Sequence, residues 1–240
     1  MISKSQIEES RDKWQTTELN VAREFIQHVL LSSLYQGRTR PITLAFKGGT
    51  ALRILRRSPR FSEDLDFTGW GKAFHIGKTL QETMDEASKA GLEFRLAESN
   101  ATSGGWFARM ETVVHGWPVQ VEWNISLREK RAGKTDTVLV NPSLWAAYSV
   151  AALPLEEAVT EKIEALLRRE MPRDFFDLYF ILRERLGVRQ VAPWKAELTR
   201  QVKALNAKTL ERELKGFMPR NHWGTLKQLP KMLLQELERL

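Results

Sequence analysis

The chain has 240 residues, 42% of them hydrophobic, with no cysteine and with 37 Lys and Arg against 30 Asp and Glu, a formal net charge of +7. The lack of cysteine excludes disulfide staples, thiolate metal sites and cysteine nucleophiles, and fits a reducing compartment. The longest apolar stretch, Leu144 to Leu155, holds Ser149 and Pro154 and falls short of the roughly 20 residues a spanning helix needs. MISKSQIEESRDK at the start has no apolar signal region, so a cytoplasmic protein with no membrane partner is expected.

Taken in order, the chain opens with helices, where Ala22, Phe25, Ile26, Val29 and Leu30 recur at spacings of 3 and 4 to form one apolar stripe. Pro41 closes a polar turn. Ile42 to Phe46 reads as a short buried strand, broken by Gly48-Gly49, and Thr50 to Arg57 returns to a helical pattern that Pro59 ends. Phe61 to Phe67 alternates as a strand. A helix follows over Lys78 to Ala90, closed by Gly91. Strands are predicted at 92–97, 106–115 and 119–125, with Gly116-Trp117-Pro118 turning between the last two.

From Leu155 onwards everything is helical. One helix spans Glu156 to Arg169 with Val159, Ile163, Leu166 and Leu167 inward, and is ended by Pro172. The next is capped by Asp174, runs through Phe175 to Leu182 and closes at Gly187. The fold class is therefore α/β (α+β): a mixed-sheet body over residues 1–150 with N-terminal helices, then a helical region over 151–240.

Residues 1–187 carry 26 basic and 25 acidic side chains, and residues 188–240 carry 11 and 5, so +6 of the net charge lies in the last quarter. Such an excess suits a polyanionic partner, nucleic acid first, or else a solvated helical surface. His28, His75, His115 and His222 show no metal-ligand spacing. The tryptophans fall at element ends or apolar positions and read as core before they read as base-stacking platforms.

The chemistry is concentrated in Phe46-Lys47-Gly48-Gly49-Thr50-Ala51-Leu52 and Phe61-Ser62-Glu63-Asp64-Leu65-Asp66-Phe67. Side chains two apart on a strand share a face, so Ser62, Asp64 and Asp66 line up, the carboxylates about 7 Å apart. Such a pair can hold one or two hard cations, and Mg²⁺ in particular is completed by waters and substrate phosphates. Gly48 and Gly49 let backbone N–H groups approach a phosphate, and the following helix adds its positive end. Thr50 can cap that helix or touch a phosphate oxygen. Arg53, Arg56, Arg57 and Arg60 offer further anion contacts.

In the helical region Lys162 and Arg169 project from nearly one side of a helix. Asp177, among Phe176, Leu178, Phe180 and Ile181, needs Lys162, Arg169 or Arg173 as a partner if it is buried. In Val119 to Ile125 the apolar residues alternate, leaving Gln120, Glu122 and Asn124 on the opposite face.

Lys47 to Leu52, then Arg60 and Ser62 to Phe67, closely resemble the motifs of the AbiEii/AbiGii toxin family (MenT-like), nucleotidyltransferases with a polymerase-β-like fold. Gly49-Thr50 stands where the superfamily usually has Gly-Ser. The resemblance implies that Lys47, Gly48, Gly49, Thr50 and Ser62 bind nucleotide, and that Asp64 and Asp66 hold Mg²⁺, with Mn²⁺ as the alternative ion. Glu161 to Leu166, Arg169 and Arg173 to Tyr179 resemble the later motifs, which implies that Lys162 contacts the nucleotide phosphates, with Arg169 beside it and Asp174, ahead of Asp177, as the functional aspartate. A third carboxylate is common in the superfamily on a further strand, and Glu122 is the candidate for that metal ligand or general base.

The implied protein is the toxin of a type IV toxin–antitoxin or abortive-infection system. It would transfer NMP from an NTP to an acceptor, the tRNA 3′ end, with a cognate antitoxin as partner. The alternatives are transfer to a protein or small molecule, or a non-catalytic nucleic-acid- or partner-binding protein on the same scaffold.

Overall fold

The computed structural model describes residues 1–36, 42–128 and 133–240 and forms two compact units: Met1–Arg57 with Phe61–Leu153, and Ser58–Arg60 with Pro154–Leu240. The chain thus divides after Leu153, where a division after residue 150 was expected, and Ser58–Arg60 belongs with the later segment. The turn assigned to Pro41 lies outside the described residues.

The first unit begins with α1 (Lys4–Trp14), held by a reciprocal Ser3–Gln6 capping box, and α2 (Glu18–Tyr35), capped by Thr17. The apolar stripe of α2 is fully buried. It packs on a seven-stranded mixed sheet made of β1 (Thr43–Lys47), β2 (Leu65–Trp70), β3 (Arg95–Thr102), β4 (Gly105–Val114), β5 (Trp117–Arg128), β6 (Asp136–Val140) and β7 (Tyr148–Ala152), in the order β3-β4-β5-β2-β1-β7-β6. The pairs β2–β5 and β1–β7 are parallel and the others antiparallel. Between the strands lie α3 (Gly48–Arg56) and α4 (Phe74–Ser88). On the inner face Phe67 stacks on Trp123 with ring centroids 5.1 Å apart.

Several boundaries differ from the sequence pattern. Phe61, Leu65 and Phe67 are buried as the alternation predicts, but ladder pairing starts only at Leu65, so Ser62 and Asp64 precede the strand. The β4–β5 turn is His115-Gly116, with φ of 47° and 90°. A two-residue hairpin loop of this type takes left-handed backbone at both central positions, which leaves Trp117 and Pro118 inside β5. Strands β6 and β7 were not anticipated; β7 lies within the apolar stretch 144–155 and is drawn beside β1 at Phe46↔Ala152.

The second unit is helical throughout its later segment: α5 (Leu155–Arg169), α6 (Pro172–Arg183), α7 (Val188–Val191), α8 (Lys195–Lys203), α9 (Ala207–Leu214) and α10 (Trp223–Glu238), with short 3₁₀ turns between some of them. Val159, Ile163 and Leu166 are buried as expected, whereas Leu167, expected inward with them, is only partly buried. Glu170, in left-handed backbone, ends α5, so Pro172 opens α6, where its fixed φ and missing N–H are tolerated. Asp174 is consequently inside the first turn of α6 and not its cap. Gly187 follows the end of α6 and opens α7 instead. Among the described residues no helix is long and apolar enough to cross a membrane.

Candidate functional site

In the first unit the chain leaves β1 at Lys47 and turns through Gly48, whose φ is +85°, directly into α3. β1 and β2 are antiparallel with Lys47 opposite Asp66, so the Asp66 side chain meets the start of the helix. A Cβ built on Gly48 would stand 2.0 Å from Asp66 Oδ2. Glycine is required there twice over, for its backbone and for the space the carboxylate fills. The other oxygen, Oδ1, accepts a 3.3 Å hydrogen bond from the Asn124 amide, Asn124 being the β5 partner of Asp66.

Asp64 is tied to the same helix through its backbone. The Thr50 hydroxyl donates to the Asp64 carbonyl at 2.5 Å, and Thr50 is 1% exposed. Thr50 is the third residue of α3, while the cap position belongs to Lys47, which makes no side-chain capping bond. The Asp66 carboxylate and the Asp64 backbone therefore both meet the first turn of a helix, where amide N–H groups lack intrahelical partners and the helix dipole is positive.

Glu122 faces the same side of β5 as Asn124, one step before the first β2–β5 pair, Leu65↔Trp123. Its partner is Arg109 of β4, whose guanidinium lies 3.1 Å from Glu122 and 3.4 Å from Glu98. Among the described residues no group of three or more His, Asp or Glu is arranged to hold a metal.

The second unit gathers a different set. Asp177, 1% exposed, accepts two bonds from Arg60, at 2.8 and 2.9 Å, and one from Lys162 at 2.7 Å. Burial alone would push its carboxyl up, but the Arg60 and Lys162 charges outweigh that and hold it at about 2. Asp174 is bonded on both oxygens by Arg169, each bond 2.7 Å. Lys162 is thus paired with Asp177, and Arg169 with Asp174.

Residues 32–236 match the sequence profile of the family described as "Nucleotidyl transferase AbiEii toxin, Type IV TA system". The chain belongs to this family. No curated protein sequence matches the chain. Among solved structures, MenT4, a nucleotidyltransferase toxin from Mycobacterium tuberculosis H37Rv, superposes with a TM-score of 0.72 at 17% identity, over 100% of this chain and 91% of that one. JHP933 from Helicobacter pylori gives a TM-score of 0.58 at 18% identity, covering 93% of this chain and 95% of that one. At such identities the likeness speaks to the fold, a mixed α/β architecture shared with nucleotidyltransferase toxins.

For an AbiEii-family chain, the residues of the first unit suit a hard divalent cation. Asp64 and Asp66 are both partly accessible, their donors are oxygens, and the absent Gly48 side chain leaves the Asp66 carboxylate its place beside the first turn of α3. Sequence pattern alone missed two contributors. Asn124 was visible as a polar position on β5, but only the β2–β5 register brings it to Asp66. Arg60 was counted among residues open to anions, yet it is 4% exposed and committed to Asp177. Arg53 is likewise engaged, by Glu24 and over the Phe61 ring.

Proposed function

We propose that this AbiEii-family chain is a Mg²⁺-dependent nucleotidyltransferase that transfers NMP from an NTP to the 3′ end of tRNA, as the toxin of a type IV toxin–antitoxin system in a bacterial cytoplasm, with a cognate antitoxin as its partner. The observation that carries this reading is the abutment of Gly48 and Asp66 at the start of α3: a carboxylate for the cation lies against helix amides suited to phosphate. Bound Mg²⁺ supplies charge neutralisation on the triphosphate and on the departing pyrophosphate. Asp64 and Asp66 are its ligands, with Asn124 orienting Asp66.

The amides of Gly48 and Gly49 receive phosphate oxygens. Lys47, Thr50 and Ser62 border the nucleotide in this scheme, and Lys162 keeps the role implied by the family resemblance, contact with the nucleotide phosphates. The acceptor hydroxyl oxygen attacks the α-phosphorus, the bond to the bridging oxygen of the β-phosphate breaks, and pyrophosphate leaves. Glu122, half-exposed on the Asn124 face, is assigned the proton released by the hydroxyl. Asp174, with both oxygens taken by Arg169, is assigned to holding that arginine.

The test is incubation of the purified protein with Mg²⁺, each α-labelled NTP in turn and total tRNA, beside an Asp64→Ala/Asp66→Ala variant. Label entering tRNA with the wild type alone is the expected result. NTP binding without transfer to tRNA moves the acceptor to proteins or small molecules, and absence of both binding and transfer overturns the catalytic reading.

A further inference from the structure

The second unit carries a surface that none of these roles uses. On α10, Trp223, Lys227 and Lys231 recur every four residues and share one face, with successive members about 6 Å apart along the axis. All three are exposed, whereas Leu226, Leu229, Leu233 and Leu237 of the same helix are buried. Trp223 is 36% exposed, and its indole N–H donates to the Met218 carbonyl at 3.2 Å, which fixes the ring.

Lys215, just after α9, has its ammonium 5.2 Å from the centre of the Trp223 ring and bonds Glu211 of α9 at 2.8 Å. The Glu211 carboxyl is held below its ordinary value first by Lys215 and also by the charge of Lys227. Neither Lys227 nor Lys231 forms an ion pair among the described residues. Like charges four apart on a helix repel, so the fold itself does not call for Lys227 and Lys231 side by side, next to a ring that stays 36% exposed.

We propose that the Trp223–Lys227–Lys231 face, with Lys215, is the docking surface for the backbone of a single RNA strand. The lysines neutralise phosphates, which follow one another about every 3.4 Å along a stacked strand, and the Trp223 ring gives a base or sugar something to stack on. An anionic membrane fits less well, because four of the leucines of α10 are buried in the unit and Leu234 alone, itself partly covered, is left to enter a bilayer. The choice of RNA rests on the acceptor proposed above; the surface itself rests on its own chemistry.

The test is anisotropy of labelled single-stranded RNA and of tRNA with the full chain, between about 50 and 200 mM salt. Lys227→Gln/Lys231→Gln is expected to weaken binding about tenfold and to reduce the salt slope by about 1.4, at 0.7 per phosphate contact. Trp223→Ala is expected to weaken binding about tenfold with the slope unchanged. Lys4→Gln/Lys13→Gln removes the same charge from α1 and should bind as wild type.

Equal weakening by the two double variants, or stripe-dependent binding to phosphatidylserine vesicles and not to RNA, overturns the proposal. Stripe-dependent RNA binding by a wild type that transfers no nucleotide would sink the catalytic reading and leave this one standing. Transfer to tRNA with unchanged binding by the stripe variant would do the reverse.

Discussion

Gly48 and Asp66 occupy adjoining space so closely that a single methyl group on Gly48 would lie 2.0 Å from an Asp66 oxygen. Gly48→Ala therefore meets two penalties: left-handed backbone, costing about 1–2 kcal/mol for an L residue, and displacement of the carboxylate. The expected outcome is nucleotide transfer reduced at least about a hundredfold, since small misplacements at a reacting centre have effects of that order. The melting temperature should fall by a few degrees. Transfer assays and thermal melts check both, and a fully active Gly48→Ala protein would refute this account of the turn.

Asn124 is linked to Asp66 by one long hydrogen bond. Asn124→Ala should cost little stability, about 1 kcal/mol or less. Removing a partner that orients a metal ligand typically costs about 10- to 100-fold. The Mg²⁺ concentration for half-maximal transfer is the quantity to measure, and it should rise. An unchanged Mg²⁺ dependence would show that Asp66 orients without Asn124.

Asp177 serves two cations at once. Its carboxyl is held at about 2, below the ordinary 3.8, so its contribution to stability is present above about pH 4 and is lost as pH falls from there towards 2. Asp177→Asn leaves Arg60 and Lys162 without their charge partner and should destabilise by about 3–5 kcal/mol at neutral pH. Urea unfolding of both proteins measures this, and the variant's stability should lack the acid step. A variant as stable as wild type would mean that neither cation depends on Asp177.

His28 is buried and shares a 2.7 Å hydrogen bond with the Tyr148 hydroxyl. Burial, aided by the Arg53 charge, pushes its pKa down to about 4 from 6.5. The folded state thus favours the neutral ring, and the associated stability, full above pH 6.5, is lost as pH falls from there towards 4. Tyr148→Phe strands the ring nitrogen and should cost about 1–3 kcal/mol. NMR titration of His28 should show a midpoint near 4; a midpoint at its ordinary value would contradict this environment.

The legible parts of the candidate site were those whose meaning is local. Gly48-Gly49 between an apolar run and a helical pattern, and Asp64 and Asp66 two apart, can be read because a strand has a period of two and a helix of 3.6. The same logic found the buried stripes of α2 and α5. It failed at ends, where Asp174 looks like a cap until Pro172 is seen to open the helix, and where Gly187 looks like a stop but starts the next turn.

The sequence by itself determined the glycine turn, the acidic pair, the helical character after Leu155 and the weight of positive charge near the end. Each follows from composition or from spacing within a few residues. Only the tertiary structure decided which polar groups meet: Asn124 with Asp66 across 58 residues, Arg60 with Asp177 across 117, and β7 beside β1. Those choices depend on strand register and on which buried charges find partners. Both are set when distant segments close on one another, because a one-residue slip would turn Asn124 away from Asp66 and an unpaired Asp177 could not stay buried.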